Sequence, residues 1–570
     1  MVNWNFFTLT NRQKDQKEQI AKDLGIYPVL AQLLVQRGVE NTHEARCFFH
    51  PRLTDLHNPF LMRDMDKAVE RLNDALRMRE SILIYGDYDV DGTTAVSLVY
   101  KYLRQFHQEV LYYLPDRDNE GSGVSYQGID YAREHGCSLI ITLDCGIKAV
   151  EKVEYAKQFG IDFIICDHHN ADEKLPDAVA VLDPKREGCQ YPYKHLCGCG
   201  VGFKFMQAFA QSNGIETNSL IAMLDLVAVS IASDIVPITG ENRILAYYGL
   251  KQLNANPSLG LKNVIRIAGL ANKEMLISDI VFKIGPRINA SGRIKQARDA
   301  VELLIANDAE FARQRCQEID HQNDVRKGLD KSITEEVLEK LKKDESQKEK
   351  ASVVVYDPNW HKGVIAIVAS RLSEKFYRPT IVLTQSNGVI TGSARSVPGF
   401  DIYAAVESCK DLLENFGGHI YAVGLAMKEE NLELFSERFE EYVRQNIKPE
   451  QQMPQIDIDA YLDFSDITPR FCRLLRQFNP FGPQNAKPIF CTKGVVDAGN
   501  THLVGKENEH LKLEVTDGSG SSVINGIAFR KGAYLQPIKE GKPVSICYTI
   551  EETRFNSVQL MVQDIKVDEE

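Results

Sequence analysis

Asp87, Asp89 and Asp91 stand at alternate positions in SILIYGDYDVDGTTAV, and further acidic and imidazole groups close later apolar runs. Asp144 ends LIITLD, Asp167 with His168 and His169 ends FIICDHH, and Asp183 ends VAVLD. Acidic residues at the carboxyl ends of parallel strands share the crevice where α/β sheets place their ligands. These eight groups would therefore converge from separate strands. So many carboxylates repel one another unless cations neutralise them, and a pair of divalent metals is the simplest arrangement. Asp234 stands at the end of SLIAMLDLVAVSIASD, a stretch apolar almost all round and read as a buried helix.

The three alternating aspartates also suit a calcium loop, but that motif needs a glutamate late in the loop and TTAVSLVY supplies none. Adjacent histidines after a buried strand point to different places: one can ligate a metal while its neighbour orients the surrounding groups or a phosphate. Mixed carboxylate and imidazole ligands favour Mn2+ over Ca2+, with Mg2+ the other candidate.

A second set of motifs is basic. GPRINASGRIKQAR (285–298) carries Arg287, Asn289, Arg293, Lys295 and Arg298 among glycines, which admit a close ligand while arginine forks match phosphate. GSARS offers Ser393 and Arg395, and FGGHIYAVG offers His419, each beside small residues that suit a phosphodiester backbone passing closely. Taken singly, each is more often a plain turn or a helix cap. Cys189, His195, Cys197 and Cys199 lack the CxxC spacing of a zinc site and read as packing residues. Trp360–His361 suits either a helix cap or a substrate contact.

The elements that must position these groups alternate. Strands are expected at 81–86, 109–114, 138–143, 162–166 and 179–182, with helices at 93–106, 127–135 and 147–159, which implies a doubly wound parallel sheet. Before it, residues 1–75 read as a helical lead-in. Residues 297–350 read as one long connecting helix or two. Residues 351–447 give a smaller α/β domain, with IYAAVESCKDLLENF read as a helix. Within 448–570, five short strands from IFCTKGVVDAG onward fit a small barrel of the oligonucleotide-binding type. The fold class is α/β.

The chain of 570 residues, 44% of them apolar, has length for several cores. No apolar run reaches transmembrane length. The opening stretch has no signal-peptide pattern and the twelve cysteines form no disulfide framework, so a reducing cytoplasm is expected. A net charge of −12 argues against bulk, charge-driven nucleic-acid binding but leaves room for a local basic groove.

Together these motifs resemble the DHH phosphoesterase superfamily, and within it the single-strand-specific 5′→3′ exonucleases. DYDVDG, LDCG, DHH, DP, SDIVPI, GPRINASGRI, WHKGVIAIVASRL, GSARS, FGGH and the terminal VQLMVQDI carry the resemblance over nearly the whole chain. It implies a DHH catalytic domain at 76–296, a DHHA1-type substrate-binding domain at 351–447 and an OB-like domain at 448–570. It implies that Asp87, Asp89, Asp91, Asp144, His168 and Asp234 hold two Mn2+ or Mg2+ ions, with His169, Asp167 and Asp183 in catalytic or supporting places. Arg287, Asn289, Arg293, Ser393, Arg395 and His419 would hold the strand or its 5′ phosphate. It further implies hydrolysis of single-stranded DNA in repair and recombination by a monomer, with a single-strand-binding protein and a helicase as partners. Two rivals remain: a hydrolase of short oligonucleotides or cyclic dinucleotides on the same fold, and a non-catalytic single-strand-binding scaffold.

Overall fold

The runs of β-branched residues and leucine form strands Ser81–Gly86, Val110–Tyr113, Cys137–Leu143, Asp162–Cys166 and Ala180–Leu182 in the computed structural model. All neighbours pair in parallel, and counting along the chain the spatial order is second, first, third, fourth, fifth. The strands are buried on both faces, which is why they read as continuous apolar runs. The structure describes residues 2–386, 388–517, 522–552 and 557–568. The chain divides into two units, Leu56–Met453 and the pair Met1–Asp55 with Pro454–Glu570.

In the larger unit, helix Val90–Leu103 starts three residues earlier than expected because Asp89 caps it, accepting from the Gly92 N–H at 3.0 Å. Gly92 is required there: a Cβ would fall 2.3 Å from the Asp87 carbonyl oxygen. The apolar stretch before Asp234 breaks into Asn218–Ile221 and Leu224–Ser233, and every residue of the second helix but Ser233 is buried. GPRINASGRI is helical rather than a glycine loop, since a π-turn at Ile280–Ile284 runs straight into helix Gly285–Ile294. The connector is two helices, Arg298–Ile305 and the 35-residue Ala309–Lys343, separated at the Asp308 cap.

The smaller sheet runs Leu413–His419, Ala422–Met427, Val389–Arg395, Thr380–Ser386, Val353–Tyr356. The expected helix IYAAVESCKDLLENF is cut short at Ile402–Glu407. Its second half becomes the edge strand Leu413–His419, because antiparallel pairing with Ala422–Met427 overrides its helical spacing.

In the other unit, the barrel strands Phe490–Asp497, His510–Thr516, Ile524–Ala528, Val544–Glu552 and Val558–Val567 pair around an apolar core, and Phe490–Asp497 also pairs with His510–Thr516. The expected lead-in 1–75 is not one segment but is divided between the two units. Residues up to Asp55 belong with the C-terminal unit, through parallel pairing of Asn3–Phe6 with Gln455–Ile458 and a shared core. Helix Met65–Met78 belongs with the parallel sheet.

Candidate metal centre

Ser81–Gly86 and Cys137–Leu143 are spatial neighbours although Val110–Tyr113 lies between them in sequence. The winding reverses there, and connections leaving in opposite directions open a crevice at the strands' carboxyl ends. The Asp87–Asp91 turn leaves the first strand, Asp144 the second, and the DHH triplet leaves Asp162–Cys166 beside it. Asp144 is held at φ 60, a left-handed conformation that costs about 1–2 kcal/mol, while its N–H donates to the Cys166 carbonyl at 2.9 Å.

His168 Nε2 lies 3.0 Å from Asp144 Oδ1 and 3.7 Å from both Asp91 Oδ2 and Asp234 Oδ2. Asp144, His168 and His169 present ligand atoms within 4.8 Å of one another, as do Asp91, His168 and Asp234. Both His168 ring nitrogens and Asp144 Oδ1 are buried without a hydrogen-bond partner. Buried polar atoms are otherwise paired almost without exception. Atoms this close, yet not aligned to hydrogen-bond, fit ligands that share a cation. Asp87 and Asp89, expected as ligands, fall in neither cluster but stand within electrostatic reach of Asp144 from the turn.

The electrostatics agree. Burial pushes the Asp144 and Asp234 carboxyls well above the usual range, and neighbouring carboxylates, Asp91 foremost, push them further. Burial and Asp91 raise Asp89, and burial and Asp89 raise Asp87 to about 7. Burial lowers His168 to about 4, leaving its imidazole neutral with a free lone pair. A cluster that sheds its charge by protonation is one that a divalent cation would stabilise as carboxylates.

Asp91 is the anchored member. It is 2% exposed, accepts from the Gly198 and Cys199 N–H groups at 2.6 and 2.7 Å, and accepts from Ser230 Oγ at 2.7 Å. The two backbone donors open helix Gly198–Ser212, whose N-terminal dipole favours a carboxylate. Cys197 caps that helix, its sulfur accepting from the Gly200 N–H, and Gly198 is essential because a Cβ would lie 2.5 Å from Asp144 Cβ. Among the described residues no cysteine joins a candidate metal cluster.

Asp167 and Asp183 do not join the ligand clusters. Asp167 accepts from Ile147 N–H, from the His168 and His169 N–H groups, and from His169 Nδ1 at 2.7 Å. Burial alone would raise its pKa, but His169 and these donors bring it down to about 2, and Asp167 in turn raises His169 to about 9 against the effect of burial. Its place is to set the orientation of the histidine pair. Asp183 is fully buried, accepts from Lys185 N–H at 2.7 Å, and is pushed by burial to about 7.

The basic residues divide. Arg293 is lowered to about 10 by burial and then by Arg117, Arg326 and Arg395, three guanidiniums within electrostatic reach of it, with Asp89 the opposing charge. Arg293 Nη1 donates to Gly363 O at 3.1 Å, and Arg395 Nη1 donates to Ser393 Oγ at 2.8 Å. His419 and Arg395 flank Ala422 on one face of the smaller sheet. Arg287 is engaged on the long helix, ion-paired with Asp320 at 2.8 Å and hydrogen-bonded to Lys283 O, and its charge reaches Arg326. Asn289 is half-buried on the same helix. The sequence reading missed Arg117, in the connection after Val110–Tyr113, and Arg326, on the long helix. Neither sits in a glycine-rich motif that would have marked it. Trp360 is structural, buried with its indole N–H on Glu336, and His361 Nδ1 accepts from the Gly363 N–H within the turn before helix Ile365–Phe376, which Val364 rather than His361 caps.

Profiles of known families fall on each part of this architecture. The DHH family N-terminal domain matches residues 81–231, the DHHA1 domain 349–445 and the RecJ OB domain 458–564. The single-stranded-DNA-specific exonuclease RecJ of Bacillus subtilis is 36% identical over 98% of this chain and 70% of its own length. The chain belongs to the RecJ family. RecJ of Escherichia coli is 31% identical over 98% of both chains. The crystal structure of RecJ from Thermus thermophilus in complex with Mn2+ superposes with a TM-score of 0.85 at 25% identity, covering all of this chain and 80% of the other. A second Thermus thermophilus RecJ structure, with Mg2+, gives a TM-score of 0.80. Membership of the RecJ family accounts for the appended barrel, which the small-hydrolase rival does not require. Among the described residues no helix is long and apolar enough to cross a membrane.

Proposed function

We propose that the chain is a metal-dependent exonuclease that hydrolyses single-stranded DNA from its 5′ end to mononucleotides, in DNA repair and recombination. The observation that carries this reading is the pairing, in one unit, of a buried acidic group with a half-buried basic one. One is the carboxylate–imidazole cluster whose His168 nitrogens have no partner; the other is the cluster of four guanidiniums within electrostatic reach of it. The first fits metal ions and the second fits phosphate. Full retention of the acidic set disfavours a non-catalytic scaffold.

Mn2+ or Mg2+ ions held by Asp87, Asp89, Asp91, Asp144, His168 and Asp234 would supply an acidified water and positive charge opposite the scissile phosphate. Asp91, locked on the helix N-terminus, keeps the ligands from rearranging. Asp167 fixes the histidine pair, so that His168 would offer a neutral nitrogen to the cluster, while His169, charged as long as no ion claims its free nitrogen, would meet an anionic oxygen of the substrate. Arg293 and Arg395, with Ser393 and Arg117, would hold the strand's terminal 5′ phosphate and so set polarity. His419 and Asn289 would line the path of the strand, and Arg287 would act through its grip on the long helix. Positive charge already in place costs no rearrangement as negative charge develops on the phosphate.

A strand labelled at its 5′ or its 3′ end, incubated with Mn2+ or with Mg2+, tests the reading. Mononucleotide release from the 5′ end only, with duplex resistant, is expected. Release from the 3′ end, or equal attack on duplex, refutes it. Action as a monomer in the cytoplasm, beside a helicase and a single-strand-binding protein, belongs to the same proposal.

A further inference from the structure

Tyr88 lies between two of the crevice aspartates, and its half-buried ring carries a cation: the Arg117 guanidinium stands over it at 5.3 Å from the ring centre. Arg117 comes from the connection between strand Val110–Tyr113 and helix Tyr126–Glu134. The backbone of that connection is pinned on both sides of Arg117. Glu120 accepts from Asp116 N–H at 2.7 Å and from Tyr113 Oη at 3.0 Å, and Asp116 Oδ1 accepts from the Asp118 and Asn119 N–H groups at 3.0 Å. None of these bonds orients the Arg117 side chain. Among the described residues no carboxylate stands within ion-pair distance of it, whereas Arg293 and Arg395 both feel its charge.

Three guanidiniums repel, and a flexible arginine would swing out to water unless something opposed that. A tyrosine face within about 6 Å attracts a guanidinium. The Tyr88 backbone is held on both sides: its N–H donates to Asp87 Oδ1 at 2.7 Å, and its carbonyl oxygen is pressed against Gly292, where a Cβ would stand 2.5 Å from it. Arg293 is the next residue. One tyrosine thus ties the acidic turn to two of the cations.

We propose that Tyr88 is a positioning residue that holds Arg117 toward Arg293 and Arg395, so that the three cations converge on the terminal phosphate of the strand. This rests on the reading of that cluster as a 5′-phosphate site. The ring performs the task and the hydroxyl does not. Tyr88 thereby couples recognition of the strand's end to the aspartates that flank it.

The test compares kcat and KM on oligothymidylate bearing a 5′ phosphate or a 5′ hydroxyl, for the full chain and for Tyr88→Leu, Tyr88→Phe and Arg117→Ala, with Mn2+ binding measured alongside. Tyr88→Leu should erode the preference for the 5′ phosphate by about 3- to 30-fold, the range of a cation–π contact, mainly through KM. Tyr88→Phe should keep the preference within about twofold. An unchanged preference in Tyr88→Leu, an equal loss in Tyr88→Phe, or a loss of Mn2+ binding in Tyr88→Leu overturns the proposal. If Arg117→Ala loses the preference and Tyr88→Leu keeps it, only the role of Tyr88 falls. If the unaltered enzyme shows no preference, the phosphate-site reading falls with it.

Discussion

Replacing Asp91 by asparagine should separate two roles that the acidic cluster combines. Both Asp91 oxygens accept backbone N–H groups from one helix N-terminus, Gly198 at 2.6 Å and Cys199 at 2.7 Å, and Ser230 adds a third donor. An asparagine amide must turn its nitrogen toward one of those N–H groups. One charge-assisted bond is lost, at about 1.5–3 kcal/mol, and one buried donor is left unpaired, at about 1–3 kcal/mol. The sum is about 2.5–6 kcal/mol. Removing a negative charge from the cluster offsets part of this, but the offset is limited because Asp144 already holds its proton well above the usual range. Asp89→Asn provides the contrast: Asp89 makes one capping bond, to Gly92, and asparagine caps a helix as well as aspartate does. In EDTA, Asp91→Asn should unfold roughly 5–10 °C below the unaltered protein in a thermal scan, with Asp89→Asn at or above it. In Mn2+ both should lose hydrolysis of single-stranded DNA. If Asp91→Asn melts with the unaltered protein in EDTA, or Asp89→Asn melts as early as Asp91→Asn, the anchoring argument is wrong.

Arg395→Ala should raise KM for a 5′-phosphorylated strand by roughly 10- to 100-fold with a smaller effect on kcat, since it removes about 1.5–3 kcal/mol of charge-assisted bonding to substrate; an unchanged KM would place the phosphate elsewhere. Gly198→Ala should abolish Mn2+ binding, measured by calorimetry, because the added methyl falls 2.5 Å from Asp144 Cβ and must displace that ligand; normal binding would refute the close approach. Asp167, held down to about 2 in the folded chain against 3.8 when unperturbed, contributes about 2 kcal/mol that is fully present above pH 4 and lost as pH falls from 4 to 2. Acid unfolding of Asp167→Asn in EDTA should therefore be flatter over that interval than for the unaltered chain, and an equal slope would count against the assignment.

The chemistry of this protein was legible in its sequence because its ligands sit where local patterns end. Between the helical segments of this chain, apolar runs of five to seven residues form buried parallel strands, and the residue after each is delivered to the crevice. Asp144, His168 and the Asp87–Asp91 turn needed no more than that, and Asp234 needed only the end of an apolar helix. What the sequence left undetermined depends on contacts made far along the chain. The Gly198, Cys199 and Ser230 donors that lock Asp91 come from 107 to 139 residues away, and nothing in DYDVDG announces them. Arg117 and Arg326 lie in stretches that carry no motif, and only packing of separate elements brings their charges within reach of Arg293. The strand Asn3–Phe6 looked like part of a lead-in to the catalytic sheet, but a strand's partner is chosen by tertiary pairing, and it pairs with Gln455–Ile458. Local periodicity fixes which residues reach a strand end; long-range packing decides which groups meet there and which of them are held still.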